Sequence, residues 1–308
     1  MTPTNLPESL LQRLRNHARK SALPMPSVLN SYLRERVLAR MFASPWAGRF
    51  VLKGASLFVL WNLPHRPTQD LDLMCLEGLS DQDLLRVFEA LCDLEVADGL
   101  VLHKDKLRLE PIMRHRPELG VRIWLQGHLW TAQVQIQIDV SRAAQPDEPT
   151  QVKYYPCILG DFEPSLLLAV PPEGVIADKI HAIAEHDLAN TRIKDFYDLH
   201  FLIGFFDFMG ENLRQHVLRS FGDSVFIPET LPGLSDTFGL DHGKQQLWAN
   251  FVGRHRLAAP AKLHDVLIAL RPFVLPLLSA SKEKAPWRWS WDRARWAWVL
   301  DKAIDETD

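Results

Sequence analysis

Gln69-Asp70-Leu71-Asp72-Leu73-Met74 alternates polar with apolar residues, the period-two signature of a strand. At that period Asp70 and Asp72 point the same way, so two carboxylates are expected on one strand face. Upstream, Pro64-His65-Arg66-Pro67-Thr68 is a loop that helix geometry would not tolerate. Before it, Leu57 to Trp61 reads as a short apolar helix, Lys53-Gly54-Ala55-Ser56 as a turn, and Arg49-Phe50-Val51-Leu52 as a short strand or helix end. Farther out, residues 7–20 and 27–42 read as helices. The second carries Leu29, Leu33, Val37 and Met41 on one stripe, after the Pro-containing turn Leu23-Pro24-Met25-Pro26.

Downstream, residues 80–97 suit a helix, and Val121 to Gln126 and Ala132 to Val140 read as strands of a hairpin turning through Gly127-His128. The second strand puts Val134, Ile136, Ile138 and Val140 on one face and Gln133, Gln135, Gln137 and Asp139 on the other. Residues 151–159 allow one more strand. Pro171-Pro172 opens a helix to about His186, and Lys194-Asp195-Phe196-Tyr197-Asp198 begins another. The rest reads as short helices with Pro-rich breaks, ending in Trp287, Trp289, Trp291, Trp296 and Trp298. The expected fold class is α/β, in the α+β sense: a mixed-sheet lobe with flanking helices over residues 1–165 and a mainly helical lobe over 166–308. That boundary rests on the shift from a mixed to a helical reading.

A chain of 308 residues lies at the upper edge of what one core supports, which favours two lobes. With 47% apolar and 24% charged residues the balance is that of a soluble globular protein, not of a disordered or fibrous one. No stretch approaches the roughly 18 to 20 uninterrupted apolar residues of a membrane span, and the N-terminus lacks a signal-peptide layout, so a cytoplasmic protein without a membrane role is expected. Cys75, Cys92 and Cys157 are scattered and form no CxxC pair; they read as small core residues. A net charge of −3 argues against a surface coated all round for nucleic acid. Residues 1–50, however, hold eight basic side chains, among them Arg34, Arg36 and Arg40, against Glu8 and Glu35. That end reads either as one positive face or as a solvated pair of helices.

Nucleotidyl transfer needs a nucleophile and a triphosphate held in line while charge on the phosphorus oxygens is neutralised, and divalent ions do this well. Mg²⁺ takes hard oxygen ligands, one or two carboxylates each, so Asp70 and Asp72 are the candidate metal pair. Asp139, ending the polar face of a strand that could lie alongside, is the candidate third ligand. Sixteen residues ahead of Asp70 and two ahead of Ser56, Gly54 permits close backbone approach, and the Ser56 hydroxyl could receive a phosphate oxygen. Lys53 and Arg66 could add positive charge there. Standing alone, an Asp-x-Asp or a Gly-x-Ser is more often a turn or a solvated edge. His181 and His186 are five apart, off the spacing of a helical metal pair, and the tryptophans read as anchors of a terminal segment to the core rather than as a base-stacking surface.

Lys53-Gly54-Ala55-Ser56 followed by Arg66-Pro67-Thr68-Gln69-Asp70-Leu71-Asp72-Leu73 resembles the first motif of the AbiEii/AbiGii-type nucleotidyltransferase toxins, of the polymerase-beta-like superfamily. Ala177-Asp178-Lys179-Ile180-His181-Ala182-Ile183 and Asn190-Thr191-Arg192-Ile193-Lys194-Asp195-Phe196-Tyr197-Asp198-Leu199 resemble its later motifs, and the likeness spans roughly residues 20 to 205. One departure is Ala55, where members often carry a second glycine. The resemblance implies a type IV toxin–antitoxin or phage-abortive enzyme that moves a nucleoside monophosphate from an NTP to an acceptor, the tRNA 3′ end being first choice. It also implies a cognate antitoxin encoded nearby and Mg²⁺ (or Mn²⁺). By motif position Lys53, Gly54, Ser56, Arg66, Thr68 and Lys179 would serve the triphosphate, with Lys179 and Asp195 contributed across a cleft by the helical lobe and needed for activity. Residue by residue, Lys179 lies off the stripe Ile176, Ile180, Ile183, as a phosphate ligand or an ordinary exposed lysine would. Asp195 equally suits a first helical turn. Two readings compete: transfer to a protein hydroxyl or small molecule, and a non-catalytic NTP-binding partner.

Overall fold

In the computed structural model Asn5 caps the first helix, α1 (Leu6–Lys20), by accepting the Glu8 amide, and Leu10, Leu11, Leu14 and Ala18 form its buried stripe. Residues 5–63, 68–76, 78–112, 120–142, 149–222, 227–283 and 285–301 are described. The chain divides into two units, Met1–Val170 and Pro171–Asp308.

The second helix, α2 (Met25–Phe42), is buried on almost every side because it meets the sheet as well as its helical neighbours. Its burial includes Arg34, Glu35, Arg36 and Arg40. The positive N-terminal face is therefore not formed by these three arginines, which find partners inside the unit. Arg40 forks onto the fully buried Asp98 at 2.9 and 3.1 Å and donates to the Leu91, Leu94 and Leu100 carbonyls. Arg36 pairs with Glu35 and lies over the Phe162 ring. Arg34 donates to the Thr68 carbonyl at 2.9 Å, while Asn30 holds the Gln69 carbonyl at 3.1 Å. Charge counted along a sequence misses this, because a long guanidinium can stay hydrogen-bonded where a short chain could not.

The rest of unit 1 is β1 (Phe50–Lys53), α3 (Ser56–Leu60), β2 (Leu71–Cys75), α4 (Asp81–Asp93), β3 (Leu100–Leu102), β4 (Arg108–Pro111), β5 (Gly120–Leu129), β6 (Ala132–Arg142), β7 (Gln151–Tyr155) and β8 (Ser165–Ala169). The strands form one mixed sheet in the order β3-β5-β6-β2-β1-β8-β7, with β4 also on β5. β2 runs parallel to β6 and β1 parallel to β8, and the other pairs are antiparallel. Three details depart from the sequence reading. The expected strand at Gln69 begins only at Leu71, leaving Asp70 just outside the ladder. The hairpin turns at Trp130-Thr131, where Trp130 adopts φ +53°, and Gly127 and His128 remain inside β5. β3, β4 and β8 were not anticipated, being too short to show a period; β8 pairs with β1 and β7 and so belongs to unit 1.

Unit 2 contains α5 (Pro172–His186), α6 (Ile193–Phe205), β9 (Phe208–Met209), α7 (Gly210–Phe221), α8 (Asp236–Leu240), α9 (His242–His255), α10 (Leu263–Lys282), β10 (Trp289–Asp292) and β11 (Ala297–Leu300). It is not helical to the end: the Trp-rich segment is a hairpin on β9, in the order β11-β10-β9. Nor is the tail a series of short helices, since α10 runs for 20 residues through Pro272 and Pro276. Its length and mean hydropathy of 1.5 would suit a bilayer, but Val266, Leu267, Leu270, Phe273, Val274 and Leu277 are all fully buried, which explains the apolar composition as that of a core helix. The indoles of Trp296 and Trp298 donate to the Ala269 and Phe273 carbonyls of α10. Two strand residues span about 6.6 Å and four helical residues about 6 Å, so the two spacings match. Each of these carbonyls stands three residues before a proline, where the ring loosens the helical ladder. The tryptophans thus anchor the terminal segment to the core.

Candidate functional site

Register brings the expected carboxylates together. Lys53 of β1 stands opposite Asp72 of β2, Asp72 opposite Asp139 of β6, Asp139 opposite Arg122 of β5, and Arg122 opposite Glu110 of β4. Directly opposed residues project to the same face of a sheet, so a charged row crosses five strands. Asp70, two residues before Asp72, raises the Arg122 pKa alongside Asp139 and so belongs to the same electrostatic neighbourhood. The segment holding Asp70 is fixed from behind by α2 through the Arg34 and Asn30 bonds described above. Thr68, expected to serve the triphosphate, donates its hydroxyl to the Asp70 carbonyl at 3.3 Å and so closes this turn. Arg34 and Asn30 were missed as positioning residues; their only signal was a polar pair amid an apolar helical stripe.

Gly54 is required twice over. Its φ is +68°, and a Cβ there would come within 1.9 Å of Asp72 Oδ2. The Asp72 carboxylate therefore rests on bare backbone at the end of β1, in space that any other residue would fill. Ala55, by contrast, has φ −70° and ψ −15°, an ordinary helical conformation, so the absence of a second glycine imposes no strain. Ser56 is fully buried and its hydroxyl has no hydrogen-bond partner among the described residues, an uncommon state for a polar atom and one that a ligand would relieve. Asp139 differs from its neighbours: Arg122 grips both its oxygens at 2.8 and 2.9 Å, and Gln137 adds a bond at 3.1 Å. Among the described residues no group of three His, Cys, Asp or Glu side chains is assembled as a metal cage. Arg66 lies outside the described residues.

In unit 2 the Lys179 ammonium, on α5, lies 2.8 Å from Asp198 and 3.0 Å from Asp195, both on α6 and both almost fully buried. Arg192 closes on the second oxygen of Asp195 at 2.8 Å. Burial alone would lower the Lys179 pKa, but Asp198 and Asp195 outweigh it and hold the ammonium above its ordinary value. Lys179 is thus not an ordinary exposed lysine, and Asp195 does more than complement a helix dipole. Asp198 was missed as a functional candidate, although its spacing of three from Asp195 puts both on one helical face. Asn190 is buried and its side chain accepts the Arg192 amide at 2.7 Å, which sets the entry to α6. Phe196 and Tyr197 are core residues, in ring contact with Phe238 and Trp248.

Residues 36–294 match the model of the nucleotidyl transferase AbiEii toxins of type IV toxin–antitoxin systems. The chain belongs to the AbiEii nucleotidyltransferase toxin family. The matched span carries both clusters, and the AbiEii assignment makes the chain a nucleotidyltransferase by family. No curated protein matches the sequence. Among solved structures, JHP933 from Helicobacter pylori is similar at 15% identity and a TM-score of 0.48, over 82% of this chain and 93% of that one. A candidate nucleotidyltransferase from H. pylori is similar at 16% identity and a TM-score of 0.47, over 83% and 95%.

Proposed function

We propose that this AbiEii-family chain transfers a nucleoside monophosphate from an NTP to the 3′ end of a tRNA in the cytoplasm, blocking growth or aborting phage infection until a cognate antitoxin, encoded nearby, restores it. The observation that carries the transfer chemistry is the row Lys53–Asp72–Asp139–Arg122, with the Asp72 carboxylate seated on Gly54. The residues fit a divalent ion: Asp70 and Asp72 are hard oxygen donors two apart, and Gly54 puts no side chain of its own against the Asp72 carboxylate. Mg²⁺ or Mn²⁺ held by Asp70 and Asp72 would supply charge neutralisation at the phosphorus oxygens. Asp139 would join them only by giving up Arg122.

In the reaction the acceptor hydroxyl oxygen attacks the α-phosphorus of the NTP. One P–O bond forms, the bond to the β-phosphate oxygen breaks, pyrophosphate leaves with that electron pair, and the hydroxyl proton passes to solvent. Lys53, Gly54, Ser56, Arg66 and Thr68 are proposed to serve the triphosphate, of which the Ser56 hydroxyl has the clearest vacancy for a partner. Lys179 already gives two of its three N–H donors to Asp195 and Asp198, so we take Lys179 and Asp195 as residues that activity requires, with one Lys179 donor left for a phosphate. The choice of tRNA follows the family resemblance, since the buried α2 arginines withdraw the support that N-terminal charge had lent it.

The test is incubation of the purified chain with Mg²⁺, each labelled NTP in turn and total tRNA, resolved on a denaturing gel. Label should enter RNA with the wild type and fall by about a hundredfold to a thousandfold with Asp72→Asn. Label on protein or small molecules would replace the acceptor and keep the chemistry. Undiminished transfer by Asp72→Asn would remove Asp72 from the mechanism.

A further inference from the structure

The alternation of β5 and β6 leaves Arg122, Trp124, Gln126 and His128 on one open face beside Gln133, Gln135, Gln137 and Asp139. One end of this face is the carboxylate row. Two residues further along β5, roughly 7 Å away, lies a cleft of about 650 Å³ lined by Arg108, Leu109, Glu110, Trp124, Gln126 and Gln135. That volume falls within the few hundred to a thousand Å³ of small-ligand sites. The indole of Trp124 is fixed by its N–H, which donates to Glu110 at 3.1 Å, and Arg108 and Gln137 stand directly opposite it in the flanking strands. Gln126 donates to Gln135 across the ladder at 3.4 Å.

A sheet face that only meets water needs neither a fixed half-buried indole nor a row of glutamines. A base has one π-face and one edge of donors and acceptors; an indole meets the first and planar amides meet the second. Position selects which base. Gly54 and the vacant Ser56 hydroxyl lie beyond β2 on the β1 side of Asp72, whereas Trp124 lies beyond β6 on the β5 side. In-line transfer brings its two reactants to the phosphorus from opposite sides. With the triphosphate on the β1 side, the β5 side belongs to the acceptor.

We propose that the Trp124 cleft is the acceptor subsite, in which a base near the single-stranded end of a nucleic acid stacks on Trp124 and is read by Gln126 and Gln135, with Arg108 beside its backbone. This rests on the transfer reading but is measured without transfer. The anisotropy of a dye-labelled short single-stranded RNA is titrated with the full chain in the presence of a chelator. Stacking of about 1 to 3 kcal/mol per base converts to a rise in Kd of about 5- to 150-fold for Trp124→Ala. Trp124→Phe should stay within about threefold of wild type, which a merely structural role for an indole N–H would not allow. Gln126→Ala with Gln135→Ala carries the test should Trp124→Ala fail to fold, and should weaken binding about 3- to 10-fold. An unchanged Kd in Trp124→Ala and in the double glutamine variant overturns the proposal. So does a duplex RNA that competes as well as the single strand, or a labelled ATP that loses affinity in Trp124→Ala while RNA does not. A failed carboxylate assignment shows as undiminished transfer by Asp72→Asn, which this metal-free titration does not read, so the two failures give different results.

Discussion

Both units gather lysine and aspartate into one cluster, but the two clusters are built for opposite states. In unit 1, Asp70, Asp72 and Asp139 face Lys53 and Arg122 on an open sheet, among the described residues an excess of carboxylate at a half-exposed surface. In unit 2, Lys179 and Arg192 balance Asp195 and Asp198, whose side chains are 2% and 1% exposed. The row lies at solvent, where a change of partners costs little desolvation, whereas Asp195 and Asp198 can exchange partners only inside a buried cluster. Sequence motifs treat these aspartates alike; burial separates them.

The sharpest way to break this contrast is to remove the cation from the closed cluster. Lys179→Met takes from two buried carboxylates the ammonium they share, and losing one partner of a buried pair costs about 3 to 5 kcal/mol. Urea denaturation should therefore show a large loss of stability. Adding Asp198→Asn to that background should recover part of the loss, because one uncompensated charge is removed, while transfer activity should not return if Lys179 also serves the reaction. A stable Lys179→Met single variant would show that the cluster is not closed as the distances imply. The matching change in the open row, Asp72→Asn, should leave stability nearly unchanged.

Gly54→Ala sharpens the same comparison at lower amplitude. A left-handed alanine costs about 1 to 2 kcal/mol, and the new methyl would displace the Asp72 carboxylate on which it lands. The expected outcome is a modest fall in melting temperature with a fall in transfer resembling that of Asp72→Asn. Ala55→Gly, at a residue with ordinary helical angles, should leave activity within about threefold and lower stability by less than about 1 kcal/mol. Equal effects at the two positions would mean that the turn, rather than the seat of the carboxylate, is what matters.

These contrasts also mark how far the sequence could be read. The period of residues 69–74 and of 132–140 placed Asp72 and Asp139 on polar strand faces, because alternation follows directly from backbone geometry. Pairing is not encoded in either stretch, so the bond from Arg122 to Asp139 could not be read, and Arg122 was never singled out. The same limit hid the Lys179–Asp198 bond: α5 and α6 each have a readable face, but nothing local says that the faces meet. Burial misled most at Arg34, Arg36 and Arg40, whose charge suggested solvent and whose length let them reach carbonyls inside. The Trp hairpin was missed although Trp287, Trp289 and Trp291, and again Trp296 and Trp298, recur at period two, because each strand is only four residues long.

Between the open and closed clusters lies an intermediate one. Glu211 in unit 2 accepts from Arg214 at 2.7 and 2.8 Å, from the Trp287 amide at 2.9 Å and from Gln215, and its side chain is 37% exposed. Arg214 foremost, then the Trp287 amide, brings its pKa down from 4.5 to about 2 despite partial burial. A carboxylate whose folded pKa is depressed stabilises the fold above its unfolded pKa, and that contribution disappears as pH falls from about 4.5 to about 2. Because solvent screens a partly exposed pair, the effect should be on the order of 1 kcal/mol or less. Glu211→Gln should thus lower the melting temperature by a few degrees at pH 6, and the gap to wild type should narrow steadily as the pH is brought toward 2.5. Since Glu211 holds the amide that begins the Trp segment, tryptophan fluorescence should report the loosening before the whole unit melts. A gap that stays constant with pH would place the effect of the substitution in packing rather than charge, and would make this cluster a member of the closed class.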